Sequence, residues 1–180
     1  MEMIEYRDVV DKSLWGDGPW QTEVDKKQWQ DETTSLPCLI VRGPHGALCG
    51  YVGVPAGHPW HGKDYDYCET AEPDADGDRY VDVHGGLTFA SGCGHGTDPA
   101  RGICHVPGDG EPDDVWWLGF DCAHAGDWAP RSSEHASADY LRHCGPGAPT
   151  GWGSIVTYRD QPYVEAECAK LAAQASLVIK

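Results

Sequence analysis

An α+β fold, a mostly antiparallel sheet with a C-terminal helix packed on it and many loops, is what this sequence of 180 residues predicts. Three observations carry that reading. Short apolar runs recur between turn signals, as strands of an antiparallel sheet do. The 23 glycines and 13 prolines favour many turns over a helical bundle. One segment alone has sustained helical spacing: Val164, Cys168, Leu171 and Ala175, with Asp160 and Pro162 at a plausible start.

Taken in order, residues 1–35 are polar and mixed, with Trp15, Trp20 and Trp29 among charges, and are expected as an N-terminal flap or short helix. Cys38–Val41 and Leu48–Val54 read as two strands of a hairpin about Gly43-Pro44-His45-Gly46. Ala56–Asp78 is a long aromatic and acidic loop. Tyr80–Val83 and Leu87–Ala90 read as strands joined by Gly85-Gly86, a two-residue hairpin signal. In that register His84 faces Leu87 and Asp82 faces Phe89, so one face mixes aromatic and ionisable groups as ligand pockets do. Val115–Phe120 reads as a central strand between turn-rich stretches, Gly92–Asp114 and Gly145–Gly153. Ser133–His143 is a candidate short helix, and the helix over 161–175 closes the fold. No repeat, linker or second domain is visible, so residues 1–180 are expected as one domain.

Composition narrows the function. A hydrophobic content of 40% with eight tryptophans argues against disorder. A formal net charge of −16 opposes DNA or RNA wrapping, which needs a basic surface. No window approaches the roughly 18 apolar residues of a membrane span, and Met1–Val10 carries charges where a signal peptide would be apolar. The expectation is a soluble, cytoplasmic protein. Its eight cysteines are then better read as free thiols or metal ligands than as disulfides.

The chemistry concentrates in two segments that each close an apolar run. One is His84-Gly85-Gly86, and the other is Asp121-Cys122-Ala123-His124-Ala125-Gly126-Asp127. Glycines beside imidazole and carboxylate allow close approach of backbone to a ligand. Either aspartate can orient His124, fixing its tautomer and raising its basicity. The set suits acid–base chemistry by His84 and His124 with Asp121 and Asp127. It equally suits zinc, manganese or iron, or hydrogen bonds to a bound base or ribose. An ordinary Asp–His turn bond is a further reading, and the sequence leaves all of these open. A ligand pocket built on these residues would also draw on Trp60, Tyr65, Asp82, Thr88 and Trp117. No serine or cysteine nucleophile motif is present: Ser91-Gly92-Cys93-Gly94 lacks the flanks of a nucleophile elbow.

Cys93, His95, Cys104 and His105 crowd together and are candidate ligands for structural zinc, although the spacing is not that of a standard finger. Asp74-Ala75-Asp76-Gly77-Asp78 fails the calcium-loop pattern, since Gly85 stands where the bidentate glutamate belongs, and reads as a solvated acidic turn.

Gly50–Pro59, Val83–Phe89, Trp117–Asp127 and the helix start Tyr163–Cys168 together resemble a group of small proteins encoded by tailed bacteriophages, including phages of actinobacteria. The resemblance spans roughly residues 46–175. It implies a bacterial host cytoplasm and an accessory role outside the virion, with no activity attached. By analogy, small phage accessory proteins often counter host defence by capturing or destroying nucleotide messengers. Aromatic side chains to stack a base, glycine amides for phosphate, and His and Asp for ribose fit that use. Three functions are therefore carried forward. The first is sequestration of a nucleotide-derived host immune signal, a cyclic dinucleotide or an ADP-ribose derivative. The second is a His/Asp-dependent hydrolase of such a signal, with or without a divalent metal. The third is a metal-stabilised inhibitor that binds a host protein. A small-molecule nucleotide is the expected ligand, self-association as a homo-oligomer stays open, and nucleic acid and membrane are not expected partners.

Overall fold

The computed structural model describes residues 1–94, 98–111, 113–131 and 156–178. Strands β1 (Ile4–Tyr6), β2 (Lys26–Gln30), β3 (Pro37–Arg42), β4 (Leu48–Pro55), β5 (Phe89–Gly92) and β6 (Val115–Asp121) form an antiparallel sheet in the order β1-β2-β3-β4-β6-β5. A short parallel pair joins β7 (Asp127–Trp128) to β8 (Thr157–Tyr158), and helix α1 (Gln161–Leu177) follows. No helix among the described residues is long and apolar enough to cross a membrane.

The sheet alternates as its sequence does. Ile40, Leu48, Val52, Leu118 and Phe120 form one face and bury against Val164, Cys168, Leu171 and Ala175 of α1. The opposite face carries Leu39, Val41, Tyr51, Val115 and Trp117. Gly50 lets the helix come close: a Cβ there would stand 2.4 Å from the Phe120 ring and 2.7 Å from Cys168 Sγ. The Asp160 side chain accepts from Tyr163 N at 3.0 Å and caps α1, with Pro162 in the first turn.

Three expectations change. Residues 1–35 are not a separate flap: β1 and β2 extend the sheet beyond β3, and the only helical turn between them is a three-residue 3-10 helix, Pro19–Gln21. The inward residues of β2 are Lys26 and Gln28, both fully buried. They hold loop backbone onto the second face: Lys26 Nζ donates to the carbonyls of Pro99, Gly102 and Cys104 at 2.5–2.7 Å. Gln28 exchanges two hydrogen bonds with the Val106 backbone. Beside them a buried network joins Arg42 to Asp25, Glu23 and Tyr158, with Lys12 on Asp25.

Second, Gly85-Gly86 is a turn but not a hairpin. Gly86 N donates to Val83 O at 2.9 Å, and β5 pairs with β6 alone. The segment before the turn takes its backbone partners from α1 side chains. Asp82 N donates to Gln174 Oε1, Gln174 Nε2 donates back to Asp82 O, and His84 N donates to Glu167 Oε2. These bonds satisfy groups that a ladder would have used, so His84 does not face Leu87.

Third, Cys93 and Cys104 are joined as a disulfide, where free thiols or metal ligands were expected. Cys38, Cys49, Cys68, Cys122 and Cys168 are free. Burial pushes the thiols of Cys38, Cys49 and Cys68 up to about 12, 11 and 11, which leaves them neutral packing groups. His95, the expected helix Ser133–His143 and the stretch Gly145–Gly153 lie outside the described residues.

Candidate functional site

Three chain segments meet at the N-terminal end of α1: the 83–86 turn, the loop after β6, and residues 159–163. His84 is held at both ring nitrogens. Nε2 lies 2.7 Å from Asp127 Oδ2 and Nδ1 lies 2.9 Å from the Tyr163 hydroxyl. In the neutral ring Nε2 carries the proton toward the carboxylate, and Nδ1 accepts from Tyr163.

Asp127 is the hub. Its side chain is 2% exposed, and Oδ1 accepts from Arg159 Nε at 2.9 Å while Oδ2 also accepts from His124 N at 3.0 Å. Burial pushes its pKa up, but the hydrogen bonds from Arg159, His84 and the His124 backbone outweigh that and hold it below the usual carboxylate value. The Arg159 guanidinium also lies over the Tyr163 ring, 4.8 Å from its centroid.

His124 sits against the glycine turn. A Cβ on Gly85 would lie 2.2 Å from His124 Cε1, so the ring occupies the space where any other residue would put a side chain. Its Nδ1 stands 3.7 Å from Asp121 Oδ1 and 3.8 Å from Asp127 Oδ2, beyond hydrogen-bond range, and is buried without a partner among the described residues. Asp121 is itself fixed by Thr88 Oγ1 and the Ala123 amide. One ligand atom each from His84, His124 and Asp127 lie within 4.8 Å of one another, two imidazoles and a carboxylate on one centre.

The structure thus brings together His84, Gly85, Thr88, Asp121, His124 and Asp127, with Gly86 completing the turn. Asp82 is nearby in sequence but directed away, pairing with Lys170. Trp117 is fully buried on the sheet's second face and offers no ring to a ligand. Trp60 is 2% exposed, with its indole N–H on the Glu69 carbonyl, and Tyr65 is half-exposed in a short 3-10 turn. Cys122 packs beneath the site, and burial together with the Asp127 charge raises its thiol pKa well above the ordinary value. The sequence reading missed Tyr163 and Arg159. Their signal was present: they flank the Asp160 cap four residues apart, and the helix start turns both toward the loop after β6.

A separate cleft of about 850 Å³ lies at the other end of α1, lined by Trp60, Lys63, Tyr67, Arg79 and Leu177 among others. From Tyr163 to Leu177 is fourteen residues, or about 21 Å along the axis at about 1.5 Å per residue. Tyr67 is 75% exposed there, beside two cationic side chains. Cys93, Cys104 and His105 form another cluster on the sheet's second face, with Asp113 as the fourth member.

Compared with protein-family models, with curated proteins and with solved structures, the chain returns no match.

Proposed function

We propose that the chain is a metal-dependent hydrolase in which His84, His124 and Asp127 hold a divalent cation. The observation that carries this is the convergence of ligand atoms of His84, His124 and Asp127 within 4.8 Å, with His124 Nδ1 lacking a hydrogen-bond partner among the described residues and facing two carboxylates at 3.7 and 3.8 Å. A divalent cation held by these three residues would supply an activated water nucleophile, as zinc does by lowering the pKa of its water to about 7. Tyr163 on His84 and Arg159 on Asp127 are the outer partners that orient such ligands. Metal on His84 Nε2 would move that ring's proton to Nδ1, so the bond to Tyr163 reverses and Nδ1–H donates to the phenol oxygen. Asp121, beside His124, suits a base for the attacking water.

The substrate class is a nucleotide-derived signal, such as a cyclic dinucleotide or an ADP-ribose derivative, on the strength of the resemblance to phage accessory proteins. A second reading, capture without hydrolysis, is favoured by the distant cleft, where Tyr67 suits base stacking and Lys63 and Arg79 suit phosphate. One experiment separates them. Tag-free protein is incubated with Mn²⁺ or Zn²⁺ and a panel of these nucleotides, heat-denatured, and the supernatant analysed. A metal-dependent product that disappears in the His84→Ala/His124→Ala double variant supports hydrolysis. Intact ligand released on heating, and lost in Lys63→Ala/Arg79→Ala, supports capture. If no nucleotide is bound or altered, the nucleotide reading fails and a host protein becomes the expected partner.

A further inference from the structure

The loop covering the sheet's second face carries a cluster that the proposed activity does not use. Cys93 Sγ, Cys104 Sγ, a ring nitrogen of His105 and a carboxylate oxygen of Asp113 all lie within 4.8 Å of one another. Two thiolates, an imidazole and a carboxylate are ligand types of tetrahedral zinc. His105 is 7% exposed, and its Nδ1 has no partner among the described residues. Trp117 supplies an outer partner: its indole N–H donates to Cys93 Sγ at 3.3 Å, and its ring lies 5.6 Å from that of His105. Lys26 fixes the backbone here by donating to the Cys104 carbonyl at 2.7 Å. A cavity of about 150 Å³ opens beside Cys104, His105 and Asp113.

We propose that these four residues form a redox-gated zinc site, closed as a disulfide when oxidised and occupied by Zn²⁺ when reduced. The two states exclude each other. Tetrahedral sulfurs at about 2.3 Å from zinc stand about 3.8 Å apart, far beyond a sulfur–sulfur bond. Reduction takes two electrons from a dithiol: the Cys93–Cys104 bond breaks, the dithiol closes to its own disulfide, and its two protons end on the cysteine sulfurs. Zn²⁺ then displaces those two protons to solvent as the thiolates bind. Either cross-link pins the loop over Leu39, Tyr51 and Trp117, so the face stays covered in an oxidising or a reducing compartment.

The sequence offers Cys93, His95, Cys104 and His105 as candidate ligands, and the geometry adds Asp113 beside Cys93, Cys104 and His105. Cobalt tests it independently of the nucleotide reading. Protein reduced with a phosphine and titrated anaerobically with Co²⁺ should develop a thiolate-to-cobalt charge-transfer band that saturates within about two equivalents, one for each proposed cation site, and is displaced by Zn²⁺. The oxidised protein should show no such band. Cys93→Ser should abolish it, and His105→Ala should weaken Co²⁺ binding by about tenfold or more. The His84→Ala/His124→Ala variant should retain the band in full. A reduced protein without the band, or a band indifferent to Cys93→Ser, overturns the proposal. Should reduction loosen the fold, zinc must restore the folded near-ultraviolet dichroism, and a reduced chain that stays loosened in excess zinc overturns it equally.

Discussion

Replacing Gly85 by alanine tests the site through a single methyl group, and Gly86 beside it provides the control. Both glycines have positive φ, +66° and +82°, so each alanine incurs the same class of backbone strain, about 1–2 kcal/mol. For a chain of this length that lowers Tm by about 2–8 °C in either variant. The two differ in what the methyl meets. At Gly86 nothing lies within 4 Å, whereas at Gly85 the new Cβ falls 2.2–2.6 Å from three atoms of the His124 ring. Ordinary carbon contact is about 3.5 Å or more, so the ring must retreat by about 1.3 Å. Metal–ligand distances tolerate only about 0.2 Å. The expectation is that Gly85→Ala and Gly86→Ala lose similar stability in urea unfolding, while only Gly85→Ala loses cation affinity, by at least about tenfold. Titration calorimetry with Mn²⁺ on protein kept oxidised at Cys93–Cys104 reads the site without interference from the second cluster. If Gly85→Ala binds Mn²⁺ as wild type does, or if Gly86→Ala is equally impaired, the contact with Gly85 does not place His124 and the argument fails.

Three other outcomes follow from the same geometry. Asp127→Asn strips a buried carboxylate from Arg159 and His84 and should cost about 3 kcal/mol at pH 7, the low end for a broken buried pair because Arg159 reaches solvent. Since the folded pKa of Asp127 is depressed, its contribution is present above the ordinary carboxylate value near about 3.9 and is lost as pH falls through the folded value. The stability gap between wild type and variant should therefore narrow as pH falls below about 3.9 toward the depressed folded value, and a gap constant with pH would refute the assignment. Tyr163→Phe removes one hydrogen bond from His84, costing about 1 kcal/mol of stability. It should also weaken cation binding by about 10- to 100-fold, and unchanged affinity in calorimetry would remove Tyr163 from the site. Lys26→Met leaves three carbonyls without their ammonium donor and should cost on the order of 3 kcal/mol. Limited proteolysis should then cut the 98–106 loop, and an uncut loop would count against Lys26 as its anchor.

How much of this was legible in the sequence depends on which side chains did the specifying. The hairpin of β3 and β4, strand β6 and helix α1 were readable because their inward residues are apolar and keep period. Strand β2 was not readable, because its inward positions are Lys26 and Gln28, and a polar residue facing a core gives no hydropathy signal. The failed hairpin at Gly85-Gly86 has a related cause. Its backbone is satisfied by Gln174 and Glu167, some ninety residues away, and no local pattern announces a long-range side-chain partner. Three of the ligand candidates, His84, His124 and Asp127, were visible as residue types beside glycines. Tyr163 and Arg159 were hidden on a helix start chosen for its cap rather than for its chemistry.

The two clusters also explain how a chain so rich in glycine and proline keeps its loops in place. On the helix side, Asp127 ties together the 83–86 turn, the loop after β6 and the approach to α1 through His84, His124 and Arg159. On the other side, Lys26, Gln28 and the Cys93–Cys104 link fasten the 98–106 stretch over Leu39 and Trp117. Apolar contact alone would leave both stretches weakly registered, because glycine-rich backbone buries little side-chain surface. Polar cross-links are directional, so they set register as well as adding stability. Most of the donors and acceptors in the two clusters are satisfied within the fold, which is what a purely structural cross-link requires. His124 Nδ1 and His105 Nδ1 have no hydrogen-bond partner among the described residues. Each stands beside carboxylate or sulfur ligand atoms, and a cation is the ligand that such a set suits.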